Sequence, residues 1–210
     1  HAIIAIRLPE NAADGRLYSI GNHAKLGRLL FFDPTDTFTP LGYLPSTLQA
    51  NHGLLVMENE GDLLLLPLLA PSANRLLRHA QLSLSGSGSL SGAVQEVRWG
   101  SPAIDRRAQL LNTTGPERIK FVESFLASFL AGFRLTMARA ENLEKSAETL
   151  VLQYGFEAES YGQTAGNLLL FRPRVLGHKT SGLLEGKERK HPFEFSQATL
   201  ETDTFEITLP

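Results

Sequence analysis

The 210-residue chain contains no cysteine, which excludes disulfides, thiolate metal sites and a cysteine nucleophile within the chain itself. It leaves the compartment open, because many secreted bacterial proteins also lack cysteine. No apolar run approaches the ~20 residues that span a bilayer as a helix, and the longest, Leu63 to Ala70, is broken by Pro67. Neither sign of charge dominates: 20 Lys and Arg stand against 22 Asp and Glu, a net charge of −2 that argues against a nucleic-acid or anionic-membrane partner. An initiator methionine and a signal sequence are also missing, so a longer natural chain is expected. His178 and His191 are far apart and without a local acidic partner, so no metal and no cofactor is expected. What the chain does have is a 42% hydrophobic content, enough for the core of one large or two small domains.

Two segments combine apolar strands with reactive side chains. His1 precedes the run Ile3-Ile4-Ala5-Ile6, and Leu29 to Phe32 ends in Asp33, with Pro34 breaking the ladder directly after it. Paired as neighbours, the two strands would bring His1 and Asp33 to one sheet end. That pairing has a chemical use: an imidazole relieves a nucleophile of its proton, and a carboxylate on the other ring nitrogen fixes its tautomer and orientation. Between them, Pro9 to Gly15 reads as a turn-rich loop and Arg16 to Ile20 as a short strand before a Gly21-Asn22 turn.

The segments Leu30-Phe31-Phe32-Asp33-Pro34-Thr35-Asp36, Thr39-Pro40-Leu41-Gly42-Tyr43-Leu44-Pro45 and Gly53-Leu54-Leu55-Val56 resemble bacterial transglutaminase-like proteins that carry flanking domains of unknown function. Weaker matches run on through Leu66-Pro67, Asn74, the Gly86 to Gly92 hairpin, Arg106-Arg107, Tyr154, Leu168 to Pro173 and Ile207 to Pro210. In that family the order is Cys, then His, then Asp. The resemblance thus implies a C-terminal segment supplying His1 as general base and acid and Asp33 as its orienter. The partner it requires is an upstream catalytic segment carrying the Cys, and the substrate is a peptide or amide. It also implies an exported or periplasmic bacterial parent.

Residues 1–55 are expected to be the C-terminal strands of a transglutaminase-like, papain-like catalytic domain. Residues 56–73 read as a linker, with a polar turn at Glu58 to Gly61, a buried strand at Asp62 to Leu66 and exits at Pro67 and Pro71. Residues 74–210 read as a mainly β domain, an antiparallel β-sandwich with one covering helix at about 116–131. Leu82 and Leu84 alternate with Ser83 and Ser85, and beyond Gly86-Ser87-Gly88 the parity of Ala93, Val97 and Trp99 opposes that of Val94, Glu96 and Arg98, which makes a hairpin. Thr114-Gly115-Pro116-Glu117 is a capping box opening a helix with Ile119, Val122, Leu126, Phe129 and Leu130 at helical spacing and Gly132 closing it. Strands follow at Phe133 to Met137, Leu150 to Phe156, Leu168 to Phe171 (a continuous buried run), Phe193 with Phe195, and Phe205 to Leu209.

Other features have plainer readings. The Lys187-Glu188-Arg189-Lys190-His191 cluster, near Arg172, Arg174 and Lys179, reads as a solvated charge run before an anion site. Asn112-Thr113-Thr114 matches a glycosylation sequon, but Thr114 is the helix cap. Trp99 reads as core, with a sugar-stacking platform as the alternative, and Gly86 to Ser89 as a hairpin tip. As alternatives to the hydrolase or acyltransferase, the chain is a non-catalytic β-sandwich module binding a protein or glycan through an exposed patch, or an inactive transglutaminase-like scaffold.

Overall fold

The computed structural model describes residues 1–12, 15–178 and 197–210. Within them the chain is mainly β, with twelve strands in four sheets and two α-helices. Strands β1 (Ile4–Arg7), β2 (Ile20–His23) and β3 (Gly27–Phe32) form an antiparallel sheet in the order β1-β3-β2. The central place falls to β3, whose Leu29-Leu30-Phe31 run is buried, as a strand with neighbours on both edges requires. Ile4 lies opposite Phe32 and Ile20 opposite Leu30. Gly21 and Asn22 are paired residues inside β2, and the turn expected there falls at Ala24 to Leu26 instead. The loop after β3 folds back under the sheet: the Gly42 carbonyl accepts from the Tyr18 and Ser19 N–H groups at 2.7 and 3.0 Å. Gly42 has φ 95°, and a Cβ there would overlap the Arg16 carbonyl, so the close approach requires glycine.

A second antiparallel pair, β4 (His52–Val56) and β5 (Gly61–Leu65), is closed by the Met57 N–H to Glu60 carbonyl bond at 2.8 Å. The strand expected to be buried at Asp62 to Leu66 alternates instead. Leu64 packs inward and Leu66 is buried, while Leu63 and Leu65 face solvent. Leu29, Phe31, Tyr43, Leu44, Leu66 and Leu69 form the core under these sheets, joined by Ile104 from α1 (Ser101–Leu111).

The largest sheet holds β6 (Arg75–Leu84), β7 (Leu90–Arg98), β8 (Phe133–Glu141), β9 (Leu150–Ala158) and, after the short hairpin of β10 (Gln163–Ala165) and β11 (Leu168–Leu170), β12 (Leu200–Thr208). Its order is β12-β6-β7-β9-β8, antiparallel except that β12 runs parallel to β6. The β6–β7 hairpin has the expected form, with Leu84 opposite Leu90. One face is buried by Ala80, Leu82, Leu84, Leu90, Val94, Tyr154 and Phe156, while His79, Gln81 and Gln95 on the other meet water, the alternation of an antiparallel sheet with one solvated face. The layer over the buried face comes from α2 (Gly115–Ala127), with Leu169 of β11 beside it.

The capping box of α2 forms as expected: the Thr114 N–H donates to Glu117 Oε2 at 3.0 Å. The helix ends at Ala127, short of residue 131, and the chain turns through Ser128 to Leu130, the Leu130 N–H still reaching the Leu126 carbonyl. Val122 and Leu126 pack on the sheet, whereas Ile119 faces out. The expectation of one helix was too few. In α1, Ala103, Ile104 and Leu110 face inward with Arg107 among them, and that charge interrupts the apolar stripe by which a helix is recognised. The expected buried run Leu168 to Phe171 is only the three-residue β11, with Leu168 and Leu170 exposed. Lys179, the Lys187 to His191 cluster, and Phe193 with Phe195 lie outside the described residues. Among the described residues no helix is long and apolar enough to cross a membrane.

Candidate functional site

The antiparallel β1–β3 pair ends with Ile4 opposite Phe32, so the residues just beyond it, His1 on one side and Asp33 on the other, leave the sheet at one end. Their side chains meet: His1 Nε2 lies 2.7 Å from Asp33 Oδ2. Asp33 is only 3% exposed, and a buried carboxylate must be hydrogen-bonded. Its second oxygen, Oδ1, accepts from the Thr35 N–H at 2.9 Å and the Thr35 hydroxyl at 2.7 Å. This is an Asx turn, in which a short acidic side chain holds the backbone two residues on. The motif repeats at Asp36, which accepts from the Phe38 N–H at 2.9 Å and the Thr39 hydroxyl at 2.7 Å. The Asp33-Pro34-Thr35-Asp36 segment thereby locks the carboxylate while the imidazole, 49% exposed at its side chain, stays open to solvent.

The tautomer follows. A carboxylate accepts only, so the neutral ring donates Nε2–H to Asp33 and carries its lone pair on Nδ1. Among the described residues nothing hydrogen-bonds to that nitrogen, which is therefore able to take a proton from an incoming group.

Two further His–carboxylate pairs differ in ways that matter chemically. His23 Nε2 meets Asp62 Oδ2 at 3.0 Å, but its Nδ1 accepts from the Lys25 and Leu26 N–H groups at 3.3 and 3.2 Å. Both nitrogens are used, and the ring, buried at its side chain, fastens β2 to β5, helped by Lys25 on Glu60. His79 pairs with Glu206 at 3.1 Å on the solvated face of the large sheet, both side chains exposed. His1–Asp33 alone of the three combines a buried carboxylate with an unoccupied ring nitrogen.

A buried ionic cluster escaped the reading of the sequence. Asp203, Arg78 and Glu96 lie directly opposite one another on β12, β6 and β7. Arg78 donates through Nε to Glu96 Oε1 at 2.9 Å and through Nη1 to Asp203 Oδ1 at 2.5 Å. Arg98 donates to Glu96 Oε2, and the Tyr154 hydroxyl donates to Glu96 Oε1 at 2.9 Å. Arg174 Nη2 holds the other oxygen of Asp203 at 2.8 Å. Glu96 is 1% exposed; burial would raise its pKa, but Arg98 and Arg78 with their hydrogen bonds outweigh that and hold it at about 2. The one available signal was the parity of Val94, Glu96 and Arg98, which places two charges on the same face as an apolar residue.

Of the other residues singled out, Trp99 is half-buried beneath the Arg75 guanidinium, 4.6 Å from the ring centroid. Gly86 to Ser89 is the β6–β7 hairpin tip, where the Ser89 N–H returns to Ser85 Oγ at 3.0 Å. His178 packs edge-on against Phe129. Among the described residues no group of three or more potential ligands is placed to hold a metal ion. No protein-family model, curated protein or solved structure matches this chain.

Proposed function

We propose that the chain is the C-terminal segment of a transglutaminase-like cysteine hydrolase or acyltransferase. Residues 1–55 finish its catalytic domain, residues 56–73 connect it, and residues 74–210 are an appended β-sandwich-type unit. The observation that carries this reading is the His1–Asp33 contact at 2.7 Å, in which Asp33 takes Nε2 and leaves Nδ1 for a nucleophile. In the reaction the thiol of an upstream cysteine gives its proton to His1 Nδ1, and the thiolate attacks the amide carbonyl carbon. The tetrahedral intermediate collapses as His1 protonates the departing amine, leaving a thioester. Water or a second amine, deprotonated by His1, then releases the acyl group. Asp33 holds the ring in place and stabilises the imidazolium.

The test uses the intact gene product, with ammonia release from a glutamine peptide as readout. Asp33→Asn is expected to lower turnover by about 10³ to 10⁴-fold at unchanged circular dichroism. Undiminished turnover removes Asp33 from the mechanism, and an upstream region without a cysteine converts the reading to an inactive scaffold.

A second reading has its own observation. Leu54 and Leu63 face each other across β4–β5, and together with Val56 and Leu65 they leave one face of that pair apolar and more than half exposed. Clustered exposed apolar side chains mark contact surfaces. With no aromatic ring among them they suit a protein partner better than a glycan, the surface a non-catalytic binding module would need.

A further inference from the structure

Three arginines from separate parts of the chain converge on one cavity. Arg16 comes from the loop before β2, Arg75 from the first position of β6 and Arg107 from the middle of α1; with Tyr18, Tyr43 and Trp99 they line a space of about 150 Å³. The cavity thus draws its walls both from the N-terminal strands and from the five-stranded sheet. Gly100, just before α1 with φ 60°, allows the close packing of the cavity wall: a Cβ there would overlap the Ala73 carbonyl and Asn74 Oδ1 and press on the Tyr43 ring.

Among the described residues no carboxylate hydrogen-bonds or forms an ion pair with any of these three guanidinium groups, although the Glu148 charge acts on Arg107 from the cavity wall. Among the described residues Arg107, 2% exposed, donates only to the backbone carbonyls of Asn142, Ser146 and Glu148. Arg16 makes one long bond, 3.4 Å, to the Ala147 carbonyl. Arg75 lies over Trp99, and its Nε is buried with no acceptor among the described residues. The acid on the cavity wall, Glu148, is half-exposed and turns its carboxylate to Lys145 Nζ at 3.3 Å. Arg16 is exposed, but for Arg107 the loss of water among carbonyls is costly, and the buried Arg75 Nε without an acceptor adds to that cost.

We propose that this cavity is an oxyanion-binding site that takes the phosphate or carboxylate head of a small molecule. An oxyanion supplies both the missing charge and the missing acceptor, and guanidinium groups receive it through paired, charge-assisted bonds. The Tyr43 hydroxyl, whose pKa is pushed up to about 12 by burial and by Tyr18, stays protonated beside them and adds no negative charge. Size sets the ligand class. At ~30 Å³ for each water the space equals about five waters, well below the ~300 Å³ at which pockets for larger ligands begin. A head group or a small organic acid fits, and a nucleotide does not. The site is independent of the His1–Asp33 pair.

Trp99 is the sole tryptophan, so its emission reports on this cavity. The chain is titrated with sodium phosphate and, separately, sodium acetate, each against sodium chloride at equal ionic strength. A saturable change is expected with at least one of the two. Its midpoint should move up at least about tenfold in Arg75→Gln and stay in place in Arg139→Gln, an exposed arginine on β8. Tighter phosphate binding marks a phosphorylated ligand, and tighter acetate binding a carboxylic acid. No saturable change with either salt, the same change with chloride, or an unmoved midpoint in Arg75→Gln overturns the proposal. If Arg75→Gln loses its circular dichroism signal, Arg16→Gln is judged by the same criteria.

Discussion

At the scale of single residues, the informative contrast is among three histidines that each face a carboxylate. Proximity to an acid does not distinguish them; what the second nitrogen does is decisive, and His23 spends it on the backbone while His1 does not. The position of Asp33 in turn depends on Thr35. Thr35→Val keeps the backbone N–H contact and removes the hydroxyl donor, and should cost about 1 kcal/mol. It should appear as a lower urea midpoint at unchanged slope, and an unmoved midpoint would mean that solvent replaces the hydroxyl. Placing His1 beside Asp33 was legible in the sequence because two apolar runs, with a proline just past one of them, bring the two residues to one sheet end once the strands pair as neighbours. The environment of the pair was not, since Thr35 is close in sequence but gives no periodic signal.

At the scale of elements, the strands were legible wherever apolar and polar residues alternate, and unread where a charge stands in an apolar position. Arg107 hid α1, while the hairpin that carries Arg78, Glu96 and Arg98 was read from its alternation and only the ionic cluster those residues form was not. These charges are buried because they satisfy one another across β12, β6 and β7, a condition invisible until the strands are paired. The cluster therefore acts as a register pin, since a one-residue slip would turn the charges to the opposite face. Removing its centre is the direct test. Glu96→Ala removes the acceptor of Arg98 and of the Tyr154 hydroxyl and leaves Arg78 with Asp203 alone, and should cost about 3–5 kcal/mol by chemical denaturation. A loss below about 1 kcal/mol would show that water reaches the cluster.

At the scale of the whole molecule, ionisation bounds the range in which the fold is stable. Glu96 has its folded pKa at about 2 against an ordinary 4.5, so its contribution is complete above the ordinary value and is lost as pH falls from there toward 2. Tyr43 moves the other way: with its pKa raised to about 12 from 10.0, it contributes below pH 10 and ceases to as pH rises through 12. Burial also raises Tyr154 well above its ordinary range, with the nearby Glu96 charge adding to it. The melting temperature should accordingly fall on both sides of a plateau between about pH 4.5 and 10, and a flat profile from 4.5 down to 2 would contradict the account of Glu96.

The parallel seat of β12 beside β6 has a consequence for how the chain reaches this state. Arg78 and Asp203 are 125 positions apart, and β6 pairs with β7 through a short hairpin long before β12 exists on a growing chain. Closing so distant a contact is entropically slow. During synthesis Arg78 and Glu96 can meet at once, but β6 presents an open edge, a template for stray strands, until β12 arrives. The final strand thus covers β6 and becomes the sheet's edge in its place, and until it docks Arg78 has yet to meet Asp203.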